Sequence, residues 1–82
     1  MVVYLSEYID PKAEQFLREH ATVVSTFDRI EEIDAIILRN IPVTAEMMDR
    51  AKKLKVIGKH GIGVNTIDVE AARQRGIRVV YT

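Results

Sequence analysis

The chain has 82 residues, with twelve Lys and Arg against twelve Asp and Glu, and no cysteine. That length holds one small domain, which buries only ~60% of the surface its unfolded chain exposes. Zero net charge argues against a basic nucleic-acid binder, and the lack of cysteine excludes a disulfide framework, a thiolate metal site and a cysteine nucleophile.

The opening run Met1-Val2-Val3-Tyr4-Leu5-Ser6-Glu7 carries no positive segment and meets an acid at position 7, so it does not read as a signal peptide. No apolar run approaches the ~20 residues of a membrane span. The expected location is the cytoplasm, with no membrane partner.

In chain order, Val2 to Leu5 reads as a first strand. Asp10 and Pro11 read as the N-cap and first residue of a helix whose apolar stripe is Ala13, Phe16, Leu17 and Ala21. Thr22 to Ser25 reads as a second strand. The nine residues Thr26 to Asp34 are fewer than the dozen or so a parallel crossover normally needs. They read as a poorly formed crossover, one turn with Ile30 and Ile33 inward and Glu31 and Glu32 outward.

Ala35 to Leu38 reads as a third strand. Thr44 caps a helix with Met47, Met48, Ala51 and Leu54 on its inner side, and Lys55 to Gly58 follows as a fourth strand. Asp68 caps a further helix, with Ala71 and Ala72 inward and Arg73 and Arg75 near its negative C-terminal end. Gly76 sits where a left-handed residue ends a helix, and Ile77 is the apolar residue that packs back. Arg78 to Tyr81 is a fifth strand.

None of the five runs alternates apolar with polar, which marks parallel strands covered on both faces. Strands alternating with helices argue an α/β doubly wound parallel sheet, and for five strands the natural order is 2-1-3-4-5. Right-handed crossovers place the first helix on one face and the rest on the other. The layer that a further helix would complete over strands four and five is missing, so that face, with two of Val56, Ile57, Val79 and Val80, is expected to be bare and to pair with a second copy as a homodimer.

Ligands of such sheets bind beyond the carboxyl ends of the strands, where strand order reverses. That point gathers Ser6 and Glu7, Arg39 and Asn40, and the run Lys59 to Val64. Arg39, Lys59 and His60 are cations or potential cations, and Gly61-Ile62-Gly63 offers unblocked backbone N–H groups. Together they suit a small carboxylate or phosphate, against the plainer reading of Arg39 and Lys59 as solvated strand-end charges.

His60 stands forty residues from His20 and has no triad or metal partner beside it. Gly61 to Thr66 imitates a dinucleotide fingerprint, but Thr66 replaces the third glycine and the loop follows the fourth strand rather than the first, so it is not read as an NAD site. Ser6-Glu7 and Arg39-Asn40 have the wrong charge for the Mg²⁺ site of a phosphoacceptor receiver. The segment from Ser6 to Pro11 is not a flavodoxin phosphate loop.

Ala35 to Asn40 with Pro42-Val43-Thr44, then Leu54 to Val64, then Ile67 to Ala72 leading to Gly76-Ile77, resembles the D-isomer-specific 2-hydroxyacid dehydrogenases, and the 3-phosphoglycerate dehydrogenase branch is similar. The resemblance implies a flavodoxin-like substrate-binding domain, also called catalytic, here spanning 1–82 as a fragment without the nucleotide-binding domain. It implies that Ile62 and Gly63 N–H groups of the glycine loop Gly61-Ile62-Gly63 hold the substrate carboxylate. It further implies that Arg39 and Asn40 reach the substrate or its phosphate, and that Lys59 fills the basic position before the loop. The family's catalytic Arg, Glu and His have no counterpart here, so no catalytic residue and no cofactor site are expected in this chain. NAD is implied for the parent, and a small 2-hydroxy or 2-oxo acid as its ligand. Asn40 stands where Ser is common, and Asn65-Thr66 where Asp-Asn is common. The competing reading is a free-standing flavodoxin-like module that binds small anions or a partner.

Overall fold

The computed structural model describes residues 1–5, 11–59 and 66–81. Five strands, β1 (Val2–Leu5), β2 (Thr22–Val24), β3 (Ala35–Leu38), β4 (Val56–Lys59) and β5 (Arg78–Tyr81), form one parallel sheet in the order β2-β1-β3-β4-β5. Between them run α1 (Pro11–His20), a 3₁₀ turn (Ile30–Glu32), α2 (Ala45–Arg50) and α3 (Val69–Gln74). Class, strand count and strand order are those expected from the sequence.

The main core cluster lies on one side of the sheet, while Val3, Leu5 and Ala35 are buried on the other. Tyr4, Ile36, Leu38 and Ile57 project from the strands and meet Ile30 and Ile33 of the crossover, Met48, Ala51 and Leu54 at α2, and Ala71 and Ala72 of α3. The short crossover behaves as its length requires. It closes with a single 3₁₀ turn that buries Ile30 and Ile33 and leaves Glu31 and Glu32 in water. Phe27, at its start, stacks on Tyr4 with ring centroids 4.0 Å apart. Asp34 closes it on β1: its backbone N–H donates to the Val2 carbonyl and its carboxylate accepts from the Val2 N–H, both at 2.8 Å.

The helix ends match their sequence signals. Thr44 Oγ1 accepts from the Met47 N–H at 3.2 Å, and Asp68 Oδ1 from the Ala71 N–H at 3.0 Å. After α3, Ile77 N–H donates to the Ala72 carbonyl at 2.9 Å and Gly76 N–H to the Arg73 carbonyl at 3.2 Å, the paired bonds of a Schellman stop. Gly76 has φ +70°, which an L side chain resists. The expected cap Asp10 lies outside the described residues.

One expectation needs correction. The α1 stripe is not a core face: α1 buries no residue, and Phe16 is 60% exposed, touching only the edge of His20 among ring contacts. Leu17 and Ala21 are the stripe's half-buried residues. The edge strand β5 carries the face expected to be bare. Arg78, Val80 and Tyr81 are exposed, and only Val79 leans on the core. The pleat also decides which valines face the α1 side. Ile57 and Val79 belong to the core, so Val56 and Val80 point the other way, sharing that face with Arg78.

Candidate functional site

The carboxyl ends of β3 and β4 lie side by side, with Leu38 paired to Lys59. Lys59 is a buried charged residue, 3% exposed, and its ammonium donates to the main-chain carbonyl of Arg39. It is therefore not a solvated strand-end charge. A buried ammonium needs strong acceptors to offset its lost hydration, and a backbone carbonyl at a strand end is one.

The far side of the glycine loop is tied to the same stretch. Thr66 Oγ1 donates to the Ile41 carbonyl at 2.5 Å. The backbone continues the contact as a parallel bridge between Val43 and Ile67, with Val43 N–H donating to Thr66 at 3.1 Å and Asp68 N–H to Val43 at 3.0 Å. So the residues before and after the loop, Lys59 and Thr66, both hydrogen-bond the segment Arg39–Ile41. Arg39 and Asn40 stand exposed on that segment.

This stitching was not anticipated. Thr66 reads in sequence as a departure from a glycine pattern, whereas its hydroxyl holds the loop's exit. A hydroxyl residue two positions before the Asp68 cap was the available signal. Gly61, Ile62 and Gly63, with His60, lie outside the described residues, as do Ser6 and Glu7.

The surroundings are structural rather than reactive. Arg75 pairs with Asp49 through Nε–Oδ1 at 2.8 Å and Nη2–Oδ2 at 3.3 Å, joining α3 to α2, and its Nη1 caps the Ala71 carbonyl at 3.0 Å. The hydrogen bond from Arg75 holds the Asp49 carboxyl below the usual range. Among the described residues no three metal-ligating side chains cluster, and no helix is long and apolar enough to cross a membrane. The chain's four glycines are Gly58, Gly61, Gly63 and Gly76, so the turns after β1 and β3 carry none. A dinucleotide pyrophosphate is held by such a glycine turn after the first strand.

The family model described as D-isomer specific 2-hydroxyacid dehydrogenase, catalytic domain, matches residues 3–82. Over 90 aligned positions the chain is 39% identical to D-3-phosphoglycerate dehydrogenase of Archaeoglobus fulgidus, covering 98% of this chain and 17% of that protein. It is 31% identical to hydroxypyruvate reductase of Thermotoga maritima over 90 positions, covering 98% of this chain and 29% of that one. Both alignments run longer than the 82 residues here, so these relatives carry additional residues inside the matched stretch. The solved structure of NAD⁺-bound 3-phosphoglycerate dehydrogenase from Entamoeba histolytica matches with a TM-score of 0.82 at 26% identity, covering 100% of this chain and 32% of that chain. The chain spans between 10% and 29% of the length of these and similar curated relatives. Its fold, its strand-end geometry and a match over nearly every residue agree: the chain belongs to the D-isomer specific 2-hydroxyacid dehydrogenase family, within that family's catalytic domain.

Proposed function

We propose that residues 1–82 form the substrate-binding part of an NAD-dependent D-2-hydroxyacid dehydrogenase of the cytoplasm. The ligand is a small 2-hydroxy or 2-oxo acid. Its carboxylate takes the N–H groups of Ile62 and Gly63, with Gly61 keeping the approach open, and Arg39 and Asn40 reach its other end or its phosphate. Lys59 is a positioning residue, acting through the Arg39 backbone. The observation that carries this reading is the double anchoring of Arg39–Ile41 by Lys59 and Thr66, which bracket the glycine loop. Two relatives are named for 3-phosphoglycerate and hydroxypyruvate, which makes those acids the first ligands to try. Hydride transfer requires a nicotinamide donor and an acid–base pair aligned with the substrate carbon. The nucleotide-binding domain of a longer parent supplies NAD, and the chain by itself binds without turnover.

Titration of the chain with 3-phosphoglycerate, hydroxypyruvate and lactate, followed by amide shifts, tests the reading. Weak saturable binding in the millimolar range, about −4 kcal/mol, is expected at Arg39–Ile41 and Gly61–Val64. Shifts confined to the opposite end of the sheet overturn the assignment. Turnover of NAD(H) by the 82-residue chain overturns the binding-only role.

A second copy is the proposed partner. On the α1 side of the sheet Val56 is half-buried and Val80 is 40% exposed. A symmetric pair of these β4–β5 faces removes that apolar surface from water.

A further inference from the structure

We infer a second ligand site in this chain, an open pocket on the α2 side of the sheet suited to a small arylalkyl carboxylate. The inference does not rest on the dehydrogenase reading. Its origin lies in the short crossover. Ten residues, 25–34, join β2 to β3, and a single 3₁₀ turn takes the place of a full helix over that part of the sheet. A gap remains between the turn and α2. It measures about 360 Å³ and is lined by Tyr4, Phe27, Ile30, Ile41 and Met47, with Arg50.

The lining sets the ligand class. The stacked rings of Tyr4 and Phe27 and the thioether of Met47 favour a flat, polarisable group. The volume suits one ring with a short tail, at the lower end of small-molecule sites. Among the described residues, Arg50 is the charged group of the lining and no acid lines the pocket with it. Arg18, Arg29, Arg73 and Arg75 each hold a carboxylate, whereas Arg50 makes no ion pair or side-chain hydrogen bond among the described residues. An exposed guanidinium beside an apolar slot gives a carboxylate its bidentate partner while the ring is buried. A neutral ligand gains the burial without the ion pair.

The test uses the whole chain with 3-phenylpropanoate and its neutral amide as probes. Saturable amide shifts at Phe27–Ile30 and Met47–Arg50 are expected at millimolar ligand, with the acid binding about fivefold more tightly than the amide. Arg50→Gln lies on the surface and should leave thermal unfolding unchanged while making acid and amide bind alike. Met47→Trp fills the slot and should abolish both. Saturating 3-phosphoglycerate should not displace the probe, since it is expected at the ends of β3 and β4. Absence of saturable shifts, equal binding of acid and amide to the unaltered chain, or shifts confined to the loop after β4 overturns the proposal.

Discussion

The ammonium of Lys59, at the end of β4, donates to the carbonyl of Arg39, the residue that follows β3. Lys59 is 3% exposed while Arg39 is exposed, so a buried charge fixes the backbone from which a surface charge projects. Replacing a buried ion by an apolar side chain of similar volume is often neutral for stability, because the desolvation cost disappears with the bond. Lys59→Met is therefore expected to keep the melting temperature within a few degrees, yet to weaken 3-phosphoglycerate binding about tenfold through the released Arg39–Ile41 segment. Thermal melts alongside NMR titration separate the two effects. A variant that binds unchanged removes Lys59 from the site.

Gly76→Ala isolates a backbone cost. A Cβ there meets nothing within 4 Å, so no clash contributes, but φ +70° is retained by the Schellman bonds. A loss of about 1 kcal/mol is expected, or roughly 4–8 °C in melting temperature for a domain of this size. Urea denaturation measures it directly, and Gly76→Asn, which tolerates the left-handed region better, should recover part of the loss.

Acid should destabilise the fold through three carboxyls. Hydrogen bonds from Arg29, Arg75 and Arg73 hold Glu32, Asp49 and Glu70 below their ordinary values. A lowered folded-state value means stability that is present above the unfolded range of about 3.9–4.3 and lost as pH falls through the folded values beneath it. From these groups the melting temperature should be level between about pH 5.5 and 8 and decline below about pH 4. The partner arginines are raised and stay charged throughout. Arg75→Gln should remove the Asp49 share and make the acid limb shallower in melts followed by circular dichroism.

Oligomeric state follows from the β4–β5 face. Light scattering at tens of micromolar should give a dimer mass, and Val80→Asp, at an exposed position, should give a monomer with unchanged secondary structure. Arg78 sits on the same face and interrupts its apolar surface, so the dimer should tighten in Arg78→Leu. A monomer in the unaltered chain sinks the proposal.

Much of the fold was legible because its signals are local. The unalternating runs read at Ala35 to Leu38 and Lys55 to Gly58 carry the apolar residues that a central parallel strand buries, and Thr44, Asp68 and Gly76 punctuate helices by side-chain or backbone chemistry alone. The exposure of α1 is not legible because an amphipathic stripe does not fix how deeply a helix sits on its sheet, and Phe16 faces water. At the site, residue types pointed to Arg39 and Lys59, but the inward course of Lys59 and the hold of Thr66 on Ile41 are tertiary. They depend on which loops the strand order brings together, and no spacing in the chain encodes that.

The four ladders of the sheet are parallel: Val3 pairs with Val23 and with Ala35, Ala35 with Val56, and Val56 with Arg78. Each pairing therefore closes a loop of some twenty residues or more before it gains anything, and none is a tight hairpin that could zip outward. High contact order of this kind makes refolding slower than in a helical bundle of equal length. Until β3 docks between β1 and β4, its neighbours expose unpaired edges, so a newly made chain is most vulnerable to aggregation before its centre is assembled.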